Sequence, residues 1–291
     1  MRNQDTIGIL LVVCATGAFA INVIVAPFIY ASGSDPLTLV FTRSFIISLT
    51  LLVALRILKY PIKLPPKDLI PCFGIGILMT VQTLAFFTAI SLIPVSIGTL
   101  IEYTYPFQVA IVARILYGEA LTFLRILLII GALIGLMLVI EIVSPQNNLN
   151  SFGVILMVIA SVLITAKIIT THNILKRIDS RRIALYLSIT VAGLCAFAFL
   201  FSPLKPDWPE TNQGWLLLFI TPLSSMIGML CMYSGLTRIG PARTAMLANF
   251  EPIWILLLAV SLLGESFTPL QSFGVILVLI CIIWFQKSGK Q

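Results

Sequence analysis

The chain has 291 residues, of which 59% are hydrophobic and only 10% are charged, with a net charge of +7. A soluble domain is about half apolar and about a quarter charged, so this composition excludes an ordinary soluble protein. It predicts an all-α polytopic membrane protein, in which apolar runs of about 20 residues cross a hydrocarbon core ~30 Å thick.

Such runs recur ten times along the chain, and each is long enough to span a bilayer as a helix. Short separators that contain proline, glycine and polar residues lie between them, and none could hold a soluble domain. The first run is too long for the apolar core of a signal peptide, so we expect it to be the first span. In chain order the runs cover residues 7–30, 36–58, 69–91, 94–116, 123–143, 151–172, 183–202, 213–236, 241–263 and 267–286.

The basic residues fall on one side of the membrane when the ten runs alternate in direction from an inside N-terminus. The outside loops then hold a single basic residue, Lys205. The positive-inside rule therefore predicts cytoplasmic termini and an inner (plasma) membrane location. The positive charge is explained by topology, so we expect a lipid bilayer and no nucleic acid as partner. The inside segments hold Arg2, Arg56, Lys59, Lys63, Lys67, Arg114, Arg125, Lys176, Arg177, Arg181, Arg182, Arg238, Arg243, Lys287 and Lys290.

Two stretches of the chain resemble each other. PVSIGTL and YPFQVAIVARILYGE lie within 94–119, and PARTAML and EPIWILLLAVSLLGE lie within 241–265. Their prolines and their final Gly-Glu pairs align, with one insertion in the first copy. Five spans per half is an odd number, so the second half enters the membrane in the opposite direction. The sequence therefore predicts two inverted five-helix repeats, 1–145 and 146–291, around a site near the midplane.

Ten spans in two sets of five resemble the EamA type of the drug/metabolite transporter superfamily. The resemblance also includes the arginine of LVFTRSFIISL in the second span and the proline followed by an apolar run ending in GE in each half. It covers nearly the whole chain. It implies a secondary transporter of small metabolites, often an exporter of amino acids or related compounds, with a central cavity lined by both halves. It does not fix the substrate.

A glutamate and a proline stand together in ANFEPIW, deep within the ninth span. A proline leaves the carbonyl four residues earlier without its helical partner. Pro252 therefore frees the backbone carbonyl of Ala248, and Pro106 frees that of Glu102. Irregular backbone at this depth is tolerated where it packs in protein or lines a wet cavity. Glu251 is an ionisable group near the midplane, and such groups are functional by default. Together these features predict that this stretch faces a polar cavity.

Further side chains complete the predicted substrate site. Trp254 shares a helix face with Glu251 and could receive a cationic or aromatic group beside it. Within the fourth span Tyr105 shares the face of Glu102, while the sixth-span Lys167 aligns with an asparagine of the first span. Two positive and two negative charges suit a zwitterion or mixed-charge metabolite. The predicted set is Glu251, Trp254, Lys167, Glu102, Arg43, Tyr105 and Asn22.

Several of these residues also have structural interpretations. Glu251 and Lys167 could form a buried ion pair that locks the halves together. Arg43 could extend outward and only brace helix ends, and Trp254 could face lipid. The GxxxG stretch 131–135 permits either close helix packing or a homodimer face.

The leading prediction is a secondary active transporter of a small polar or amphipathic, amino-acid-like metabolite. It would work by alternating access, coupled to protons or to exchange. The alternative is a facilitative or exchange uptake carrier for a nucleoside-type or cationic metabolite such as S-adenosylmethionine. A membrane enzyme or scaffold is more remote, because no GxSG motif, His/Asp cluster or P-loop occurs. Scattered cysteines and one histidine lead us to expect no catalytic residue, metal or cofactor.

Overall fold

The computed structural model describes residues 2–93, 98, 101–118, 121–139, 150–201, 203, 205–263 and 268–288. This part of the chain consists of helices joined by turns and short connections, and it contains no strand. The helices are α1 (Arg2–Ala31), α2 (Pro36–Ile57), α3 (Pro66–Leu92), α4 (Tyr105–Tyr117), α5 (Phe123–Val139), α6 (Ser151–Ile174), α7 (Ser180–Phe201), α8 (Asn212–Ile239), α9 (Pro241–Ala248), α10 (Glu251–Leu263) and α11 (Pro269–Ser288).

Seven of these helices, α1, α2, α3, α6, α7, α8 and α11, are long and apolar enough to cross a membrane. A shorter apolar helix, α5, corresponds to the fifth predicted span. The outer surface carries large apolar side chains such as Ile70 and Leu200, each 79% exposed. Such a surface is stable in lipid and not in water. The predicted polytopic all-α fold is confirmed.

The ninth span is a discontinuous helix. It consists of α9 and α10, with Asn249 and Phe250 in a turn between them. The N–H groups of these two residues bond to carbonyls three residues earlier, at 3.3 and 3.0 Å. Pro252 is the second residue of α10, where a missing N–H costs little because the first turn has no helical acceptor. The interruption lies where the Glu-Pro pair predicts it.

The fourth span is interrupted at the matching place. Ile101 and Glu102 are helical, a turn follows at Tyr103 and Thr104, and α4 then begins with Pro106 at its second position. The other residues aligned between the repeats, Pro94 and the Gly-Glu pairs at 118–119 and 264–265, lie wholly or partly outside the described residues. The predicted boundary near 145 also lies outside them.

The helices pair across the two halves rather than within them. α1 packs along α8 and α3 along α6, while α2 packs on α7, α4 on α9 and α5 on α11. A two-fold axis that relates the first half to the second would exchange the first two pairs and return the α2–α7 and α5–α11 pairs each to itself. This packing is the pattern of two inverted five-helix repeats.

The GxxxG stretch of the fifth span packs inside the chain. A Cβ atom at Gly131 would lie 2.8 Å from Cys281 Sγ, and one at Gly135 would lie 2.7 Å from a methyl group of Val278 and 3.0 Å from the Gly274 carbonyl oxygen. The two glycines therefore allow α5 and α11 to approach closely. This is the close-packing alternative, and the glycine face is covered by α11.

Candidate functional site

A cavity of about 180 Å³ lies between the two halves. Side chains of α1, α2, α3, α6, α7, α8 and α9 line it, together with Glu102 before α4 and the first residues of α4 and α10. Six of the seven predicted site residues are in this lining, and Trp254 is not. The lining consists of Phe19, Asn22, Val23, Arg43, Ser44, Ile47, Met79, Gln82, Thr83, Phe86, Phe87, Glu102, Tyr105, Ile164, Lys167, Ile168, Thr171, Ser188, Ser225, Met229, Met232, Tyr233, Leu236, Thr244, Ala245, Ala248 and Glu251.

The cavity holds two basic and two acidic side chains that are not paired with one another. Within the described residues the ion pair found is Arg243 with Asp5, at 3.5 Å and away from the cavity. Lys167 and Glu251 do not form the buried ion pair that the sequence leaves open.

An amide separates the lysine from one of the glutamates. Lys167 Nζ donates to Gln82 Oε1 at 2.7 Å, and Gln82 Nε2 donates to Glu102 Oε1 at 3.4 Å. The side chain of Gln82 is buried, 6% exposed, and comes from α3. The amide accepts from the ammonium and donates to the carboxylate, so both charges are solvated without contact between them. Gln82 was not among the predicted site residues, although a polar amide deep in an apolar span is visible in the sequence.

The two helix interruptions meet through Glu251. The hydroxyl of Tyr103, in the turn before α4, makes a side-chain hydrogen bond with this carboxyl group at the start of α10. Tyr105 lines the cavity next to it, with its ring centroid 6.3 Å from that of Tyr103. The carboxyl group is therefore held by the opposite repeat.

The carbonyl that Pro106 frees has found a partner. Ser161 of α6 donates its hydroxyl to the Glu102 carbonyl oxygen at 3.2 Å. Gln108 donates to the same serine oxygen at 2.8 Å, and Thr104 lies 3.0 Å from it. These polar side chains satisfy the broken backbone at membrane depth, as a non-helical segment there requires.

Arg43 and Asn22 make different contacts in the wall of the cavity. The Arg43 guanidinium carbon lies 4.9 Å from the ring centroid of Phe87, in a cation–π arrangement, and the side chain lines the cavity. Asn22 is 4% exposed and joins α1 to α8, because it accepts from Ser225 at 2.8 Å and donates to Ser224 at 3.1 Å. Its amide is already satisfied, so this geometry ties Asn22 to helix packing as well as to the cavity.

Trp254 packs between α10 and α1. Its indole N–H donates to the Val13 carbonyl oxygen at 3.2 Å, and a Cβ at Gly17 would lie 3.3 Å from the ring. The indole is thus one turn past Glu251 but directed at a neighbouring helix, outside the cavity lining. A substrate contact for Trp254 remains a prediction that this arrangement does not support.

No group of three or more histidine, cysteine, aspartate or glutamate side chains that could hold a metal ion occurs among the described residues. The polar chemistry of the cavity is instead that of ammonium, guanidinium, carboxyl, amide and hydroxyl groups. Such groups bind a charged organic molecule by hydrogen bonds and ion pairs.

Two inverted five-span repeats around a central charged cavity define a membrane transporter. The chain matches the EamA-like transporter family over residues 6–141 and 151–285, and it belongs to that family, within the drug/metabolite transporter superfamily. It is 26% identical over 229 residues to an uncharacterized transporter, sll1319, of Synechocystis sp., covering 76% of this chain and 67% of the relative. A solved crystal structure superposes with a TM-score of 0.79 at 15% identity, covering 100% of this chain and 98% of the other; this likeness concerns the fold.

The hydrogen bond between Lys167 and Gln82 should make a measurable contribution to stability. We expect Gln82→Leu and Lys167→Met each to change the unfolding free energy in detergent micelles, with a coupling between them of about 1.5–3 kcal/mol, the usual range for a hydrogen bond to a charged group. A double-mutant cycle measures this coupling. The cycle of Lys167→Met with Glu251→Gln serves as comparison and should be closer to additive. Additive effects in the first cycle would contradict the bond.

Proposed function

We propose that this protein is a secondary active transporter of a small mixed-charge metabolite, amino-acid-like or amphipathic, moved by alternating access of the two repeats. The observation that carries the proposal is the separation of Lys167 from Glu102 by the Gln82 amide. Opposite charges that line one cavity without neutralising each other offer two anchoring points. A zwitterion presents the complementary pair.

Binding can proceed by exchange of partners. A substrate carboxylate would take the place of the Gln82 oxygen at Lys167, and a substrate ammonium would meet Glu102 and Glu251. Each protein group exchanges one hydrogen bond for another, so the net gain is moderate and release is not prevented. Methionines such as Met79, Met229 and Met232 line the remaining wall, and their flexible side chains adapt to varied apolar groups.

Alternating access would use the pairing of the repeats. The interruptions of the fourth and ninth spans both lie at the cavity. The contact between Tyr103 and Glu251 joins one interruption to the other. Rocking of one repeat against the other would make and break contacts of this kind while the site stays near the midplane. Glu102 and Glu251 are the candidates to carry a coupled proton. The alternative driving force for transport is exchange against a second substrate molecule.

The experiment that tests the substrate class is flux into proteoliposomes. Lys167→Met should lower the apparent affinity for a zwitterion roughly thirtyfold or more, since loss of one partner of a buried charged contact costs ~2–5 kcal/mol. Lys176→Met, at an exposed lysine just beyond α6, is the control and should leave affinity unchanged. The panel contains zwitterionic amino acids, nucleosides and purely cationic metabolites. Transport of cations alone would reject the mixed-charge class.

Proton coupling is tested by the same assay under an imposed pH gradient. A glutamine at 251 or 102 keeps the shape of the side chain but cannot carry a proton. We expect Glu251→Gln or Glu102→Gln to abolish uphill transport while substrate exchange persists. Uphill, pH-dependent flux that survives in both single variants would remove these glutamates from the proton path.

Both termini are proposed to be cytoplasmic in the inner (plasma) membrane. In a variant that lacks the five native cysteines, single cysteines at the exposed positions Lys63 and Arg177 should resist an impermeant thiol reagent in intact cells. A cysteine at exposed Lys205 should react, because the positive-inside rule puts it on the other side. The reverse pattern of labelling would invert the orientation.

A further inference from the structure

Two hydroxyl groups in the wall of the cavity lack partners. Thr171 of α6 and Ser188 of α7 are each 1% exposed and line the cavity. Neither side-chain oxygen has a hydrogen-bond partner in the described part of the chain. Buried polar groups are nearly always hydrogen-bonded, and each exception calls for an explanation.

Helix geometry does not account for the missing bonds. A serine or threonine within a helix can donate to a carbonyl three or four residues earlier. Thr170, the direct neighbour of Thr171, does so to the Ala166 carbonyl at 2.7 Å, and Thr190 of α7 does so to the Tyr186 carbonyl at 2.9 Å. Thr171 and Ser188 have the same local option and do not use it. Both residues line the cavity, and both hydroxyls lack a partner among the described residues.

Thr171 lies close to the proposed charged anchor, and Ser188 lines the same cavity. Thr171 follows Lys167 by one helical turn, so both are on one face of α6. Tyr233 of α8 adds a third hydroxyl-bearing side chain to this wall. All three belong to the part of the bundle where α6 ends, α7 begins and α8 approaches its end. A molecule held at Lys167 would extend toward this wall.

We propose that Thr171 and Ser188, with Tyr233, form a neutral hydrogen-bonding subsite, and that the substrate carries a hydroxyl or similar polar group besides its opposite charges. This inference rests on the proposed function, because it places a second part of the same substrate. A purely hydrocarbon side chain would leave both hydroxyls unsatisfied.

The test compares zwitterions that differ by one hydroxyl: L-serine with L-alanine, and L-threonine with L-2-aminobutyrate. In proteoliposomes we expect about a three- to tenfold lower KM for the hydroxylated member, which is the effect of one or more neutral hydrogen bonds. Thr171→Val and Ser188→Ala should remove this preference. Thr42→Val is the matched control, because the Thr42 hydroxyl is also buried and unpartnered but lies outside the lining; it should keep the preference.

A second readout separates binding from folding. Replacing an unpartnered buried hydroxyl with an apolar isostere removes an unsatisfied group, so the Tm of all three variants without substrate should stay constant or rise. Loss of preference with an undiminished Tm supports the subsite. Equal KM values within the pairs in the wild type, with transport present, overturn the subsite and leave the proposed function standing. If none of the four zwitterions is transported, the mixed-charge proposal and this inference both fail.

Discussion

Inside a bilayer, every backbone N–H and carbonyl must find its partner within the protein, and the arrangement of this chain follows from that requirement. Nearly the whole described chain is helical because helices meet it locally. The two interruptions are the exceptions, and both occur beside a proline and at the cavity. At the fourth span, Ser161 supplies the missing bond to the Glu102 carbonyl. Within the described parts of the fourth and ninth spans, the irregular backbone adjoins the cavity and the polar side chains around it.

The same requirement applies to charge. A buried ammonium or carboxylate needs strong partners, and a direct ion pair would provide them but leave nothing for a substrate. In this chain Gln82 lies between Lys167 and Glu102 and forms a hydrogen bond with each of them. Glu251 is held by a tyrosine from the opposite repeat. In the structure these buried charged groups have hydrogen-bond partners, and the basic and acidic groups of the cavity do not form ion pairs with one another.

The sequence predicted the features that depend on composition and on local chemistry. Span number, the inverted repeat and the interruption at Pro252 all follow from hydropathy, odd span count and the missing proline N–H. The direction of individual side chains did not follow. Trp254 shares a helical face with Glu251 by spacing, yet the close approach of α1 at Gly17 draws the indole out of the lining. Gln82 was missed because its role depends on the register between α3 and α6, and no local pattern encodes that register.

The cross-pairing of helices has a consequence for how the molecule is made. Each major interface, such as α1 on α8 or α3 on α6, takes one helix from each repeat. When the chain is inserted as it is synthesised, the first five spans enter the membrane before their packing partners exist. Their small and polar faces are then exposed to lipid. Because the major interfaces join helices of the two copies, neither half can reach its final packing until the other has been synthesised.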